Sequence, residues 1–382
     1  MKKNIARTLN IKALLEKKSF FLFGPRLTGK TTLIKSSLKE DFQFINLLDT
    51  KTKLLLLQNP GALETLINPQ KYAGVIIDEI QKIPELLDEV QKLIDDQNIC
   101  FLLTGSSARK LKREGVNLLG GRARTAHLFP LTSHEIPAFK LERFLNYGGL
   151  PSVYLSEEPF EELVAYVDSY LKEEIEQEAR VRNLGNFSRF LKSAAMTNSE
   201  LLNFAAVASD SQVSESTVRG YYQILSDTLI GDLLEPWKES KKRKAIQTAK
   251  FYFFDIGVTN AILGKSSVPQ SGYDFGKLFE HFIYMEIKAA LSYFRKRQQL
   301  CFWRSVNGQE VDFLVGNEIA IEVKSKGNAS LRDASGLLAL QEEKVFNRYL
   351  LLSNDKIRRK EKGIEFLYYK DFLKELWMQE FF

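Results

Sequence analysis

Through the first 150 residues, short apolar runs alternate with stretches of helical period, the pattern of a parallel sheet with crossover helices. Strands are predicted at 19–23, 42–47, 74–79 and 98–105, with 128–131 closing the sheet and a first helix from residue 31. The third run contains Val75-Ile76-Ile77, apolar throughout as a strand covered on both faces must be. From about residue 160 to 234, apolar and charged positions repeat every 3.6 residues, which predicts helices. Residues 201–208 read as one helix and 214–229 as the next, with Ser214 as N-cap and Val218, Tyr222, Leu225 and Leu229 on one face. A basic run, Lys241-Lys242-Arg243-Lys244, and a strand at 250–254 follow, so this part has the outline of a winged helix. The remainder returns to mixed α/β, with a helix at 275–295 and strands at 300–303, 310–315, 319–324 and 348–352.

The turn between the first strand and first helix carries the clearest chemistry. Gly24-Pro25-Arg26-Leu27-Thr28-Gly29-Lys30-Thr31, followed by Thr32, has the spacing of a phosphate-binding loop. Glycines let backbone N–H groups crowd around a phosphate chain at a helix N-terminus, where the dipole is also positive. Lys30 is placed to reach the β- and γ-phosphates of ATP, and the Thr31 hydroxyl to join a Mg²⁺ shell. Asp78 ends the third strand, where it can hold Mg²⁺ through water, and Glu79 is the natural base for the attacking water. Thr104 ends the fourth strand, where it either contacts the γ-phosphate or serves ordinary turn chemistry. Arg122 is either an arginine finger, cis or trans, or a surface arginine.

These strings, with Leu103-Thr104-Gly105-Ser106-Ser107, Phe129-Pro130-Leu131-Thr132, Tyr147-Gly148-Gly149-Leu150-Pro151 and Tyr252-Phe253-Phe254-Asp255-Ile256-Gly257, resemble a family of prokaryotic AAA-type ATPases. The resemblance covers nearly the whole chain. It implies a winged-helix-like middle region and a C-terminal domain of unknown function similar to PD-(D/E)XK nucleases, and no settled cellular role.

The C-terminal residues suit that likeness. Asp312 lies on one predicted strand and Glu322-Val323-Lys324 on the next, and alternation puts Glu322 and Lys324 on one face. Glu280, on the preceding helix, can complete a metal shell with Asp312 and Glu322, leaving Lys324 beside the attacking water. The competing reading is a charged stripe on a half-exposed strand. With one such site per chain, cutting both strands of a duplex requires a dimer or two binding events.

Composition narrows the setting. The 382 residues are 44% hydrophobic and 27% charged, as in an ordinary globular protein of two or three domains. No apolar run reaches the roughly 18 residues of a membrane helix, and the apolar stretch at 20–23 is too short for a signal peptide. A cytoplasmic location is expected. Two cysteines and three scattered histidines give no zinc spacing and no disulfide framework. A net charge of +6 permits nucleic acid without demanding it, and each basic cluster also reads as a solvated face. The expectation is therefore an α/β multidomain chain: a P-loop domain with a parallel sheet covered on both faces (1–150), a helical winged-helix region (151–265) and a restriction-endonuclease-like α/β domain (266–382). The leading function is ATP hydrolysis coupled to action on DNA, with Mg²⁺ at both sites. The rivals are a nucleotide-regulated binding protein with an inactive nuclease-like domain, and a nuclease-like domain that only mediates homo-oligomer assembly.

Overall fold

In the computed structural model the described residues are 5–38, 41–106, 109, 111, 119–171 and 184–381. Ser107 and the cations Lys110, Lys112 and Arg113 of the first basic run lie outside them. Five strands, β1 (Ser19–Phe23), β2 (Phe42–Asn46), β3 (Gly74–Asp78), β4 (Phe101–Gly105) and β5 (Ala123–His127), form a parallel sheet in the order β2-β3-β4-β1-β5. Alternation sends successive residues to opposite faces. Phe20, Leu22, Ile76 and Leu102 join one apolar cluster with Leu33, Ile34 and Leu38 of α1 (Lys30–Leu38). Phe21, Phe23, Ile77 and Leu103 join another with Leu86, Val90 and Leu93 of α2 (Leu86–Gln97). The closing strand is thus residues 123–127 and not the apolar run 128–131. As an edge strand it exposes Arg124, so it has no continuous apolar signature. The run 128–131 instead crosses to the next region, where the Leu131 N–H donates to Gly149 O at 2.7 Å.

Two of the strings singled out by sequence meet at that crossing. Asp255 caps α6 (Ile256–Ile262) by accepting from Val258 N at 3.1 Å, and accepts from Gly149 N at 2.7 Å. Gly148 has φ +70°, and a Cβ there would fall 2.0 Å from Asp255 Oδ1, so only glycine fits.

The middle region carries α3 (Leu184–Met196), α4 (Phe204–Ser211), α5 (Glu215–Asp227) and an antiparallel pair, β6 (Gly231–Leu234) with β7 (Lys250–Phe253). Helix α4 starts three residues later than its pattern suggests. Leu201 bridges Lys250, Leu202 N donates to Ala249 O at 2.9 Å, and Asn203 caps by accepting from Ala206 N at 3.0 Å. Ser214 caps α5, accepting from Thr217 N at 3.2 Å. The loop between β6 and β7 lies along the C-terminal sheet: Trp237 N donates to Phe302 O at 2.6 Å and Ile246 N to Arg304 O at 2.8 Å.

That sheet follows the long α7 (Tyr273–Tyr293). Strands β8 (Leu300–Arg304), β9 (Glu310–Val315) and β10 (Ile319–Val323) form an antiparallel meander; α8 (Ser335–Gln341) then leads to β11 (Arg348–Ser353), parallel to β10. The hairpin β12 (Arg359–Glu361) and β13 (Ile364–Tyr368) extends the sheet beyond β11, and α9 (Tyr369–Trp377) follows. Neither was predicted; the short β12 has no apolar run, and its Arg359 is held by Asp355 (2.9 Å) and Glu361 (2.7 Å). Among the described residues no helix is long and apolar enough to cross a membrane.

Candidate functional site

The loop after β1 is fixed by its own backbone. Leu27 (φ +62°) and Gly29 (φ +92°) reverse the chain, and the Thr28 hydroxyl donates to Pro25 O at 2.8 Å. Lys30 is buried and its ammonium donates to Gly24 O (2.6 Å) and Pro25 O (3.1 Å), inside the turn. Thr31 and Thr32 open the first turn of α1 and are exposed, beside the partly buried Arg26. A cavity of about 1000 Å³ adjoins Gly29 and Thr32, with apolar walls from Ile5, Leu131, Pro151 and Leu155.

Strand order sets what faces this loop. Because β4 lies between β1 and β3, Thr104 is registered with Leu22 on one side, one residue beyond the β3–β4 pair Ile77↔Leu103 on the other. Its hydroxyl donates to Asp78 Oδ1 and accepts from Glu79 N at 3.3 Å. Glu79 is left-handed (φ +63°), an unfavourable conformation of about 1–3 kcal/mol for a non-glycine residue and one that clusters at functional sites. Gln81 donates from Nε2 to Glu79 Oε2 at 2.5 Å, and its Oε1 is buried without a partner. Gly105 makes room for it: a Cβ there would lie 2.5 Å from Gln81 Oε1. Residue reasoning assigned Gln81 no role, although it stands two places after Glu79.

Arg122 does not reach this loop. It precedes Ala123, which is registered with Ser19 at the opposite end of β1, roughly 16 Å away at the usual strand rise. Its Nε donates to both oxygens of Asp95, at 2.7 and 2.9 Å. A finger in cis is therefore not built here.

In the C-terminal domain, Glu280, Asp312, Glu322 and Lys324 face one cleft of about 760 Å³. Lys324 pairs with Glu322, and Asp312 Oδ2 accepts from Val323 N at 2.8 Å. The centre, however, is held by a residue that sequence reasoning passed over. Lys250, first residue of β7, puts Nζ 3.0 Å from Glu280 Oε1, 2.6 Å from Glu310 Oε1 and 3.9 Å from Asp312 Oδ1. The Tyr252 hydroxyl donates to the same Glu280 oxygen at 2.5 Å. Burial, then Glu280, pushes Asp312 up to about 7, against Lys250 and Lys324. Burial, then Asp312, holds Glu322 well above the carboxylate range. Burial alone would lower both lysines, but the carboxylates around them hold each above its ordinary value. Among the described residues no group of three or more His, Cys, Asp or Glu converges to hold a metal ion. Glu322 Oε2 is buried and unpartnered, as a metal ligand could be, yet the Lys250 ammonium stands against Glu280 and Asp312, and Lys324 pairs with Glu322. The expected shell of Glu280, Asp312 and Glu322 around Mg²⁺ is thus not what these residues form.

Comparison with known proteins divides the chain in three. Residues 16–137 match a family model described as an AAA domain. Residues 138–268 and 275–372 match two domains of unknown function, DUF8612 and DUF4143. Similar chains include an uncharacterised protein of Mycobacterium tuberculosis, 26% identical over 340 residues, covering 84% of this chain and 74% of the relative. Another, from Methanocaldococcus jannaschii, is 24% identical over 348 residues, covering 83% and 76%. A Signal Transduction ATPase with Numerous Domains from Pyrococcus horikoshii, bearing a tetratricopeptide repeat sensor, aligns at TM-score 0.24 and 13% identity. That alignment covers 77% of this chain and 47% of the other, too weak a likeness to speak for the fold. Residues 16–137 are thus similar to AAA domains, and the parallel sheet with a phosphate-loop turn after its first strand is in keeping with that likeness.

Proposed function

We propose that the chain binds ATP on residues 24–32 and hydrolyses it, with Glu79 orienting and deprotonating the attacking water. The observation that carries this reading is the Thr104 hydroxyl, which ties Asp78 and Glu79 together at the strand end beside the loop. Asp78 and the exposed Thr31 suit a Mg²⁺ ion; bound there, it would neutralise charge on the phosphates. The cavity beside Gly29, with Ile5, Leu131, Pro151 and Leu155 among its walls, suits a purine. Arg122 would serve only a neighbouring copy, as a finger in trans. The test is nucleotide affinity: Lys30→Ala should lose binding of a non-hydrolysable ATP analogue, and unchanged affinity would remove the assignment.

For the C-terminal domain, a helix, an antiparallel meander, a helix and a parallel strand in succession support a nuclease-like reading with nucleic acid as partner. The ammonium among its acids favours holding over cutting. Basic residues of the middle region would add phosphate contacts. Arg243 is already forked on Glu342 (3.0 and 2.9 Å), which leaves Lys241, Lys242 and Lys244 as the candidates. Neutralising those three should flatten the slope of log affinity for duplex DNA against log salt, by up to about 0.9 per lost contact. An unchanged slope would assign the run to protein contact alone.

A further inference from the structure

At its centre the C-terminal cleft sets Glu280, Glu310, Asp312 and Glu322 against Lys250, Lys324 and Arg304, and Glu200, Lys277, Arg332 and Asp333 also line it. Lys324 and Arg304 approach from the same sheet as three of the acids. Lys250 comes from a different region, and its side chain is 3% exposed. Its position is set by backbone on both sides: it is registered with Leu234 across β6–β7 and bridges Leu201. The loop before it is tied to the edge of the C-terminal sheet, where Ala245 bridges Ser305 and Val306 N donates to Lys244 O at 3.0 Å. The Lys250 ammonium also lies 5.4 Å from the Phe302 ring centre. A lysine held this way is not a surface side chain that swings aside at the cost of one rotamer.

We propose that the Lys250 ammonium is the resident cation of this cleft, standing where a divalent ion would have to bind, so that the acids hold no metal while β7 is docked. A Mg²⁺ or Mn²⁺ ion needs carboxylate oxygens at about 2.1 Å. The Glu280 and Glu310 oxygens nearest the centre already accept from Lys250, and a second cation among them would meet like charge at close range in a poorly solvated site. Nothing in this requires ATP hydrolysis or nucleic acid, so its failure and that of the nucleotide reading are separately visible.

The test is a Mn²⁺ titration of the full-length chain without nucleotide, counting uncomplexed Mn²⁺ by its electron paramagnetic resonance signal. Wild type should take up none through the low-millimolar range. Lys250→Met, which keeps the apolar stem and removes the charge, should take up one ion per chain, and adding Glu322→Gln should abolish that uptake. Unchanged affinity for an ATP analogue reports that the variant is folded. Should Lys250→Met fail to fold, Lys250→Met/Glu310→Gln removes one charge of each sign and should bind one ion through Glu280, Asp312 and Glu322. Uptake by wild type that Glu322→Gln removes would overturn the proposal. So would a folded Lys250→Met chain that takes up no ion.

Discussion

Arg7 stands outside every motif, yet it braces the phosphate loop from behind. Its Nη1 donates to Thr28 O at 2.7 Å, and its Nη2 to Phe129 O at 2.6 Å and to Tyr293 Oη at 3.1 Å. Its Nε lies 3.1 Å from Glu135 Oε1, a carboxylate that also accepts from Thr8 N (2.7 Å) and Thr132 N (3.1 Å). One guanidinium thus joins the loop, the 129–135 crossing and the end of α7. Its side chain is 6% exposed and that of Glu135 1%, so removing the cation leaves a buried charge uncompensated. Arg7→Met should cost about 3–5 kcal/mol in denaturant unfolding and weaken ATP-analogue affinity. Arg7→Met/Glu135→Gln should recover part of the stability, because the orphaned charge is gone. A single variant as stable as wild type would remove Arg7 from this role. No sequence pattern marks such a residue, since its partners are mostly carbonyl oxygens brought close by folding.

At the scale of elements, β7 is fastened to α7 by a histidine whose protonation state the geometry decides. His281 Nε2 lies 2.7 Å from Phe253 O, an atom that can only accept, so Nε2 carries the proton. Nδ1 must then accept from Asn198 Nδ2 at 3.1 Å, and Asn198 cannot turn over because its Oδ1 accepts from Phe253 N at 2.9 Å. Burial pushes His281 down to about 4 from 6.5. A folded pKa below the unfolded one contributes stability that is fully present above pH 6.5 and lost as pH falls through about 4. Denaturant unfolding between pH 7 and 4 should show this loss, at most about 3 kcal/mol, and His281→Gln should show a shallower fall. Equal pH profiles would contradict a neutral His281. The same pairing explains why the strand at 250–254 was easy to predict and its role was not: Phe251 and Phe253 are ordinary apolar strand positions, whereas Lys250 matters only once β7 meets the C-terminal acids.

At the scale of the molecule, what sequence made legible is local. The phosphate loop, the β3 acids, and the long helix and strands β8 to β11 of the C-terminal part follow from runs of residues that carry their own geometry, whereas α8 between β10 and β11 was not expected. What it hid is contact between regions: the Arg7 brace, the Gly148–Asp255 joint and the lysine in the carboxylate cleft. For Arg122 only the cis alternative is removed, since a glycine-arginine string is placed by strand register and lands at the far end of the sheet. The account as a whole rests on ATP hydrolysis with Glu79 as base. Glu79→Gln keeps the shape of the side chain and can still meet Gln81 and Thr104 while losing the base. The most direct measurement is single-turnover hydrolysis of bound, labelled ATP by wild type and by Glu79→Gln at matched saturation. The account predicts equal ATP affinity and a rate lower by about 10²–10⁴ in the variant. Equal rates, or a wild type that binds ATP without hydrolysing it, would contradict it.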